Sequence, residues 1–262
     1  MISEIGFLEA TWPAPKNIIA GTTLRQFGYS QGSFGALNLG DHVGDNIDNV
    51  KRNRQLLNDA MNLPSAPCWL KQTHSAKVIA EPSNDIALYA DASITRKVEK
   101  ICVVLTADCL PILITSKSGD IVSAIHAGWR GLADGIVENT INTMHSSPEE
   151  LLVWLGPAIS QLAFEVGNDV REIFLGLDIN NNVFFKSNER SRWQADLYGI
   201  VKLKLNLLGV REIYGGDECT FSDERRLYSY RKNNKCGRMA SIIYMQKSVS
   251  YTHLRAHETP EH

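Results

Sequence analysis

Three side chains capable of metal binding or nucleophilic chemistry stand where apolar segments end. Cys109 closes the run ICVVLTADC, and His126 lies near the end of the next such run, IVSAIHAG. His74 lies earlier in the chain, again where an apolar segment gives way to polar residues. Their separations are too long for a local zinc finger, so a shared site requires that three distant strand ends converge.

A histidine–cysteine–histidine group would suit zinc, which binds thiolate sulfur and imidazole nitrogen. Three protein ligands leave a fourth position for water or substrate, so the site would be catalytic rather than structural. A bound metal would lower the pKa of its water toward ~7 and would hold Cys109 as thiolate. The spacing also allows a second interpretation, in which Cys109 is a small core residue and the histidines are structural.

The segments that must position these side chains show a mixed strand and helix pattern. The tight strand–turn–strand connections in residues 101–126 predict antiparallel neighbours and argue against a purely parallel sheet. Helical spacing of apolar residues predicts helices over 46–63, 132–147 and 193–210. Residues 164–176 predict a strand that enters a helix. We therefore expect an α/β (α+β) fold with a mixed sheet.

Composition excludes several classes of function. The 262 residues are 44% hydrophobic and carry a formal net charge of −2, which gives no field suited to nucleic acid or an anionic membrane. A basic cluster near the end, DERRLYSYRKNNKCGR, is interpreted as a solvated turn. No stretch approaches the roughly 20 apolar residues of a membrane span, and no signal peptide is evident. Five cysteines without a CxxC pair favour a reducing compartment, so a cytoplasmic location is predicted.

The chain shows no internal repeat and no low-complexity linker. We predict a single catalytic domain over residues 1–247. Residues 248–262 are polar and without periodicity, and are predicted to be a disordered or non-native tail. The histidines of that tail are therefore excluded from the candidate site.

Four motifs in order resemble those of the YfiH/laccase-domain family, whose members are called polyphenol oxidase, purine nucleoside phosphorylase or peptidoglycan editing factor. They are LKQTHSAKV, TADCLPIL, AIHAGWRGL and LGPAIS, with LNLGDHVGD upstream and FEVGNDV downstream. The resemblance covers roughly residues 20–245. It implies a layered α/β/β/α fold of mixed sheets and a metal bound by His74, Cys109 and His126.

The resemblance also implies a function. We expect a zinc-dependent purine nucleoside phosphorylase acting on adenosine, inosine and methylthioadenosine with phosphate, with adenosine deamination as a side activity. Three alternatives stay open. The first is copper-dependent oxidation of phenols. The second is a cysteine hydrolase that edits peptidoglycan precursors, with Cys109 as nucleophile and His126 or His74 as base. The third is a non-catalytic metal-binding protein whose partner surface is the loop 31–45. The sequence leaves the oligomeric state open.

Five further residues are predicted to bind substrate. Asn38 and His42 lie in the Gly/Asp-rich loop that borders the pocket in the family, although turn formation would explain the same composition. Arg25 and Arg54 offer planar forks of donors for phosphate. Arg130 is better placed for an anion because it follows His126 closely.

Three neighbours of the candidate ligands have less definite roles. Asp108 either orients a ligating histidine or caps the turn before Pro111. Asp91 is interpreted as a further acidic group near the site. Trp129 either packs in the core or offers a surface on which a base stacks.

Overall fold

The computed structural model describes residues 5–83 and 87–247. The predicted tail, residues 248–262, lies outside the described residues, and a single domain over 1–247 stays a prediction. All five cysteines are free thiols. Within the described ranges, no helix is both long enough and apolar enough to cross a membrane.

The secondary structure comprises strands β1 to β15 and helices α1 to α5. The strands are β1 Phe7–Glu9, β2 Ile18–Thr23, β3 Leu70–Lys71, β4 Val78–Ala80, β5 Leu88–Tyr89, β6 Ala92–Thr95, β7 Cys102–Thr106, β8 Leu110–Ser116, β9 Val122–Ala127, β10 Leu151–Leu155, β11 Glu165–Val166, β12 Phe185–Ser187, β13 Trp193–Ala195, β14 Glu212–Gly215 and β15 Met239–Met245. The helices are α1 Ile47–Met61, α2 Trp129–Ala133, α3 Ile136–Met144, α4 Asn168–Leu177 and α5 Leu197–Leu207.

Two large sheets form the centre of the fold. The first has the strand order β1-β2-β15-β7 and is antiparallel throughout. The second has the order β14-β10-β8-β9-β6-β4 and is mixed, since β14 runs parallel to β10 and β4 runs parallel to β6. Two small sheets, β11-β13-β12 and β3-β5, complete the set among the described residues. The predicted mixed α/β architecture is confirmed.

The two sheets face each other, and helices cover their outer sides. Side chains alternate along each strand, so β7 sends Cys102 and Val104 to the layer between the sheets. Val103 and Leu105 point to the opposite face, where they pack with α1. On the outer face of the second sheet, apolar residues of α3 and α5 cover β8, β9 and β10. The order helix, sheet, sheet, helix is the layered arrangement that the motifs predict.

The strand–turn–strand prediction holds for only one of its two connections. Strands β8 and β9 pair as antiparallel neighbours. In contrast, β7 pairs with β15 in the other sheet, so residues 107–109 carry the chain from one sheet to the other. The crossing is sharp, and Asp108 adopts a left-handed backbone conformation with φ 86°. Cys109 therefore lies at the edge where the two sheets meet.

Two helix predictions differ from the structure in their bounds. The predicted helix 132–147 is split into α2 and α3, because Gly135 has φ 91° and interrupts the helical backbone. The predicted helix 193–210 begins only after Asp196, whose side chain accepts a hydrogen bond from Gly199 N. Residues 193–195 form β13 instead.

The layer between the sheets yields a stability prediction. Leu113 is fully buried there, so Leu113→Ala should lower the free energy of unfolding by about 2–5 kcal/mol through lost burial and a cavity. Leu162 is 87% exposed, so Leu162→Ala should change it by less than about 0.5 kcal/mol. Chemical denaturation of both variants measures the free energy of unfolding. An equal decrease in the two variants would contradict the assignment of Leu113 to the layer between the sheets.

Candidate metal centre

The structure brings the three predicted ligands together. His74 Nε2 lies 3.9 Å from Cys109 Sγ. The rings of His74 and His126 meet edge to face, with centroids 4.7 Å apart. The ligand atoms of all three residues lie within 4.8 Å of one another, and theirs is the one such group of His, Cys and acidic side chains among residues 5–83 and 87–247.

Each ligand is positioned by the local path of the chain. Cys109 follows the crossing between the sheets, and His126 lies on β9 opposite Pro111 of β8. His74 lies in the turn between β3 and β4 with φ 58°. Gly128 closes the site from the side, since a Cβ atom there would lie 3.0 Å from Cys109 Sγ and 3.0 Å from His74 Cδ2. A larger residue there would force these ligand side chains to move by a few tenths of an ångström.

The buried carboxylate of Asp91 orients two of the three ligands. Its Oδ1 accepts hydrogen bonds from His126 Nδ1 at 2.8 Å and from His74 N at 3.0 Å. Its Oδ2 accepts from Ser75 N and Ser75 Oγ, both at 2.7 Å. Because Asp91 accepts from Nδ1, the other ring nitrogen of His126 is left free to bind a metal.

Asp91 remains ionised in this environment. Burial by itself would raise its pKa, but the hydrogen bonds from His126 and Ser75 outweigh burial and lower the pKa to about 2. The carboxylate interacts in turn with His126. Burial would lower the pKa of this imidazole, but the charges of Cys109 and Asp91 and their hydrogen bonds raise it.

The surroundings of Cys109 favour its thiolate form. Burial would raise the pKa of its thiol, but the charge and hydrogen bond of His126, together with His74, lower that pKa below the ordinary value. Cys68, Cys102 and Cys236 are buried and have raised pKa values, mainly through burial, whereas hydrogen bonds from Ser160 and Ser222 lower the pKa of Cys219. Among the described residues, Cys109 is the one thiol that lies with two histidines in a group able to hold a metal ion.

The donor set fits a zinc ion in chemistry and in spacing. Zn–S bonds of about 2.3 Å and Zn–N bonds of about 2.0–2.1 Å at a tetrahedral angle place sulfur and nitrogen roughly 3.6 Å apart. The separation of 3.9 Å between His74 Nε2 and Cys109 Sγ is close to that value. Three ligands without a fourth protein donor would leave one coordination position open.

A cleft of about 510 Å³ opens beside the three ligands. This volume falls within the range of roughly 300–1,000 Å³ for small-molecule sites. Its walls carry aromatic and cationic side chains. Besides the three ligands, the lining residues are His42, Gln72, Leu105, Thr106, Ala107, Asp108, Trp129, Arg130, Ile159, Phe164, Tyr230, Arg231 and Arg238.

Two of the five predicted substrate-binding residues line this cleft. The Arg130 guanidinium stacks on Trp129, with its Cζ 4.3 Å from the ring centroid. The His42 side chain is 58% exposed at the cleft. Burial and the charge of Arg238 lower the pKa of His42, which favours the neutral imidazole.

Asn38 is a structural residue in this geometry. Its side chain is fully buried, and its amide donates to Gly40 O and to Asp45 Oδ2. Its Oδ1 accepts from Gly40 N and Arg238 N. These contacts hold the loop that carries His42 and do not favour the predicted contact with substrate.

Arg25 and Arg54 lie outside the residues that line the cleft. Arg25 donates to Gly35 O and Glu224 O and stacks on Tyr228. Arg54 donates twice to the carbonyl of Leu39. Main-chain carbonyls occupy both guanidinium forks, which disfavours the predicted role in phosphate binding.

Asp108 takes neither of its two predicted roles. Its Oδ1 accepts from Thr220 Oγ1 at 2.6 Å, and its Oδ2 accepts from Arg231 N at 2.6 Å. It thus ties the crossing between the sheets to the segment that precedes β15. The carboxylate that orients a ligating histidine is Asp91, which the sequence indicated only as an acidic group near the site.

The interpretation of the cluster DERRLYSYRKNNKCGR as a solvated turn is incomplete. Tyr230, Arg231 and Arg238 of this cluster line the cleft. The density of basic and aromatic residues in this segment was the one sequence signal that could have indicated a binding site. Local composition cannot distinguish a solvated turn from the wall of a site, because the approach of this segment to Cys109 depends on long-range contacts such as that of Asp108 with Arg231 N.

Comparison with known proteins identifies the family. An Escherichia coli strain K12 protein named purine nucleoside phosphorylase YfiH is 43% identical over 235 residues, which cover 89% of this chain and 96% of that protein. Residues 19–246 match the family model described as multi-copper polyphenol oxidoreductase laccase. The chain belongs to the YfiH family. The resemblance indicated by the sequence motifs is thus confirmed.

Other similar proteins extend this result. A Haemophilus influenzae protein named purine nucleoside phosphorylase is 46% identical over 241 residues, covering 91% of this chain and 99% of that protein. The crystal structure of a Neisseria meningitidis protein superposes with a TM-score of 0.89 at 42% identity, covering 92% of this chain and 99% of that one. The YfiH family fold therefore extends over most of the chain.

The role of Asp91 can be tested by substitution. Asp91→Asn removes the charge that orients His126 and should weaken zinc binding about 10- to 100-fold. Asp120→Asn is a matched control, because that carboxylate is also hydrogen-bonded to serines but lies outside the cleft lining. Competition with a chromophoric chelator measures the affinity, and thermal unfolding of the metal-free proteins monitors folding. Unchanged zinc affinity in Asp91→Asn would contradict the assignment.

The lowered pKa of Cys109 predicts its reactivity. In metal-free protein, iodoacetamide should modify Cys109 at neutral pH faster than an ordinary thiol, because the reactive thiolate is populated there. The rate should fall as the pH decreases through the lowered pKa, and zinc should protect the thiol. Peptide mapping separates Cys109 from Cys219, whose pKa is also lowered because hydrogen bonds from Ser160 and Ser222 outweigh burial. Equal rates with and without zinc would argue against a metal ligand.

Proposed function

We propose that this protein is a zinc-dependent purine nucleoside phosphorylase acting on adenosine, inosine and methylthioadenosine. The observation that carries the proposal is the open group of His74, Cys109 and His126 at the base of a ligand-sized cleft. The names of the similar Haemophilus influenzae and Escherichia coli proteins support the reaction class. The mixed sulfur and nitrogen donor set favours zinc, although Cu(II) binds such donors more tightly on affinity alone.

Different residues of the cleft have different roles in the proposed reaction. When bound, zinc would supply a Lewis acid or activate water beside the substrate. His74, Cys109 and His126 would hold it, and Asp91 would keep His126 oriented. Arg130 offers its guanidinium to an anion in the cleft, while His42 presents an imidazole that can exchange hydrogen bonds with a sugar or base.

Adenosine deamination is the proposed side activity. Zinc deaminases activate water for attack at C6 of adenine, and the open three-ligand arrangement is compatible with this chemistry. Deamination yields inosine from adenosine, whereas phosphorolysis yields adenine. The two activities are therefore separated by their products.

Oxidation of phenols is a second candidate, favoured by the description of the matching family model. Multicopper oxidation uses several metal centres. Among the described residues, one group of His, Cys and acidic side chains is close enough to hold an ion. The same group supports zinc-dependent chemistry without further centres, so phosphorolysis is the preferred proposal.

A combined metal and product assay tests the proposal. Zinc-loaded protein with phosphate and adenosine, inosine or methylthioadenosine should release free base and the sugar 1-phosphate, detected by chromatography. Cys109→Ala should lose both zinc retention and turnover, because it removes the thiolate ligand. Cys219→Ala, a thiol outside the cleft lining, is the control and should keep both.

Two results would contradict the proposal. Turnover by metal-free protein would exclude the zinc-dependent reaction. Metal-free protein that hydrolyses peptidoglycan precursors through an alkylation-sensitive Cys109 would favour the cysteine hydrolase instead.

A further inference from the structure

Two arginines that line the cleft, Arg231 and Arg238, share one arrangement of hydrogen bonds. Main-chain carbonyls engage only the nitrogen Nη1 of each guanidinium. Arg231 Nη1 donates to Glu165 O at 2.9 Å. Arg238 Nη1 donates to Cys236 O at 2.9 Å and to Gly237 O at 3.0 Å. Each guanidinium is thus fixed at one corner.

The opposite edge of both guanidiniums is free. Throughout residues 5–83 and 87–247, neither Nε nor Nη2 of Arg231 or Arg238 has a hydrogen-bond or ion-pair acceptor. This edge is the planar fork that binds two oxygens of a phosphate or carboxylate. Because Nη1 is already held, a ligand at the fork immobilises less of the side chain than it would on a mobile arginine.

Backbone and ring contacts hold both side chains in the cleft. Arg231 N donates to Asp108 Oδ2 at 2.6 Å, and Arg231 Cζ lies 5.4 Å from the Phe164 ring centroid. Arg238 N donates to the buried Asn38 Oδ1 at 2.9 Å, and Arg238 Cζ lies 5.6 Å from the Tyr230 ring centroid. Both rings and both arginines line the same cleft.

Among the described residues that line the cleft, no carboxylate oxygen is left without a hydrogen-bond donor. Asp108 is the only acidic residue among those that line it. Its two carboxylate oxygens already accept hydrogen bonds from Thr220 Oγ1 and Arg231 N. Arg130 adds a third guanidinium without a protein acceptor in the described part of the chain. Unpaired cations in a concave site attract an anionic ligand.

We propose that Arg231 and Arg238 form an oxyanion subsite whose ligand is orthophosphate. The inference rests on the proposed phosphorolysis, in which phosphate is a co-substrate. There, an oxygen of HPO₄²⁻ forms the bond to C1′ of the sugar while the bond from C1′ to the base nitrogen breaks. The electron pair of that bond leaves with the base, and the proton of HPO₄²⁻ ends on the base. Two fixed forks suit the tetrahedral anion.

Direct binding tests this subsite without turnover. Isothermal titration of zinc-loaded protein with inorganic phosphate should show about 10-fold or greater weakening in Arg231→Gln and in Arg238→Gln, because each loses charge-assisted hydrogen bonds. Arg225→Gln makes the same charge change at an exposed position outside the cleft lining and should bind as wild type. Arg231→Lys keeps the charge without the fork and should be intermediate.

Kinetics then separates the subsite from the proposed function. In the arginine variants, the phosphate KM should rise while the nucleoside KM stays near wild type. If phosphate binding depends on the two arginines but the protein cleaves no nucleoside, the subsite is supported and the proposed function is wrong. If both Gln variants catalyse phosphorolysis with an unchanged phosphate KM, the proposed function is supported and the subsite is wrong.

Two further outcomes overturn the inference. Wild-type phosphate affinity in both Gln variants would show that the forks do not bind the anion. Phosphate binding that disappears on zinc removal but is unaffected by the arginine substitutions would show that the anion binds the metal instead. Zinc content and thermal unfolding of each variant confirm that the fold and the metal site are intact.

Discussion

The buried carboxylate of Asp91 is the contact on which the site depends. It joins a strand residue, His126, to the turn that carries His74, although the two lie far apart in sequence. A buried charge is costly without partners, and here donors from residues 73–75 and His126 surround it. The fold therefore stabilises the ionised acid and, through it, the orientation of two candidate ligands. The third, Cys109, lies in contact with this pair and gains thiolate character from it.

The path of the chain between the two sheets places Cys109 where this pair can reach it. Strand β7 belongs to one sheet and β8 to the other, so the short crossing at residues 107–109 lies at the common edge. Asp108 secures the crossing by accepting hydrogen bonds from Thr220 and from the backbone of Arg231. The same carboxylate thus links the thiol to the arginine-bearing wall. The packing of two sheets supplies the rigidity that a preassembled group of three ligands requires.

The cleft combines two kinds of recognition within one volume. Soft and nitrogen donors at its base suit a divalent metal, and guanidinium groups stacked on aromatic rings suit an oxyanion. Trp129, Phe164 and Tyr230 each lie beneath an arginine of the same cleft. Their packing therefore serves to fix the cations. The candidate metal group and the proposed anion subsite together suit the proposed reaction, in which phosphate displaces the base from the sugar of a neutral nucleoside.

Sequence patterns alone were sufficient for the mixed α/β class. The family motifs added the layered arrangement and the prediction that His74, Cys109 and His126 bind a metal. Apolar periodicity and turn residues are local signals, so they revealed most strands and helices. The helix bounds differ from the prediction at two places. Gly135 has a positive φ and the Asp196 side chain caps a helix, and each acts within a single turn.

Only the tertiary structure decided which polar residues face the cleft. Asn38, Arg25 and Arg54 had suitable chemistry, yet backbone groups of other segments engage them. Arg231 and Arg238 looked like parts of a solvated turn, yet both residues line the cleft. The exposure and pairing of a polar side chain depend on contacts between distant segments, and residue type and spacing do not encode them.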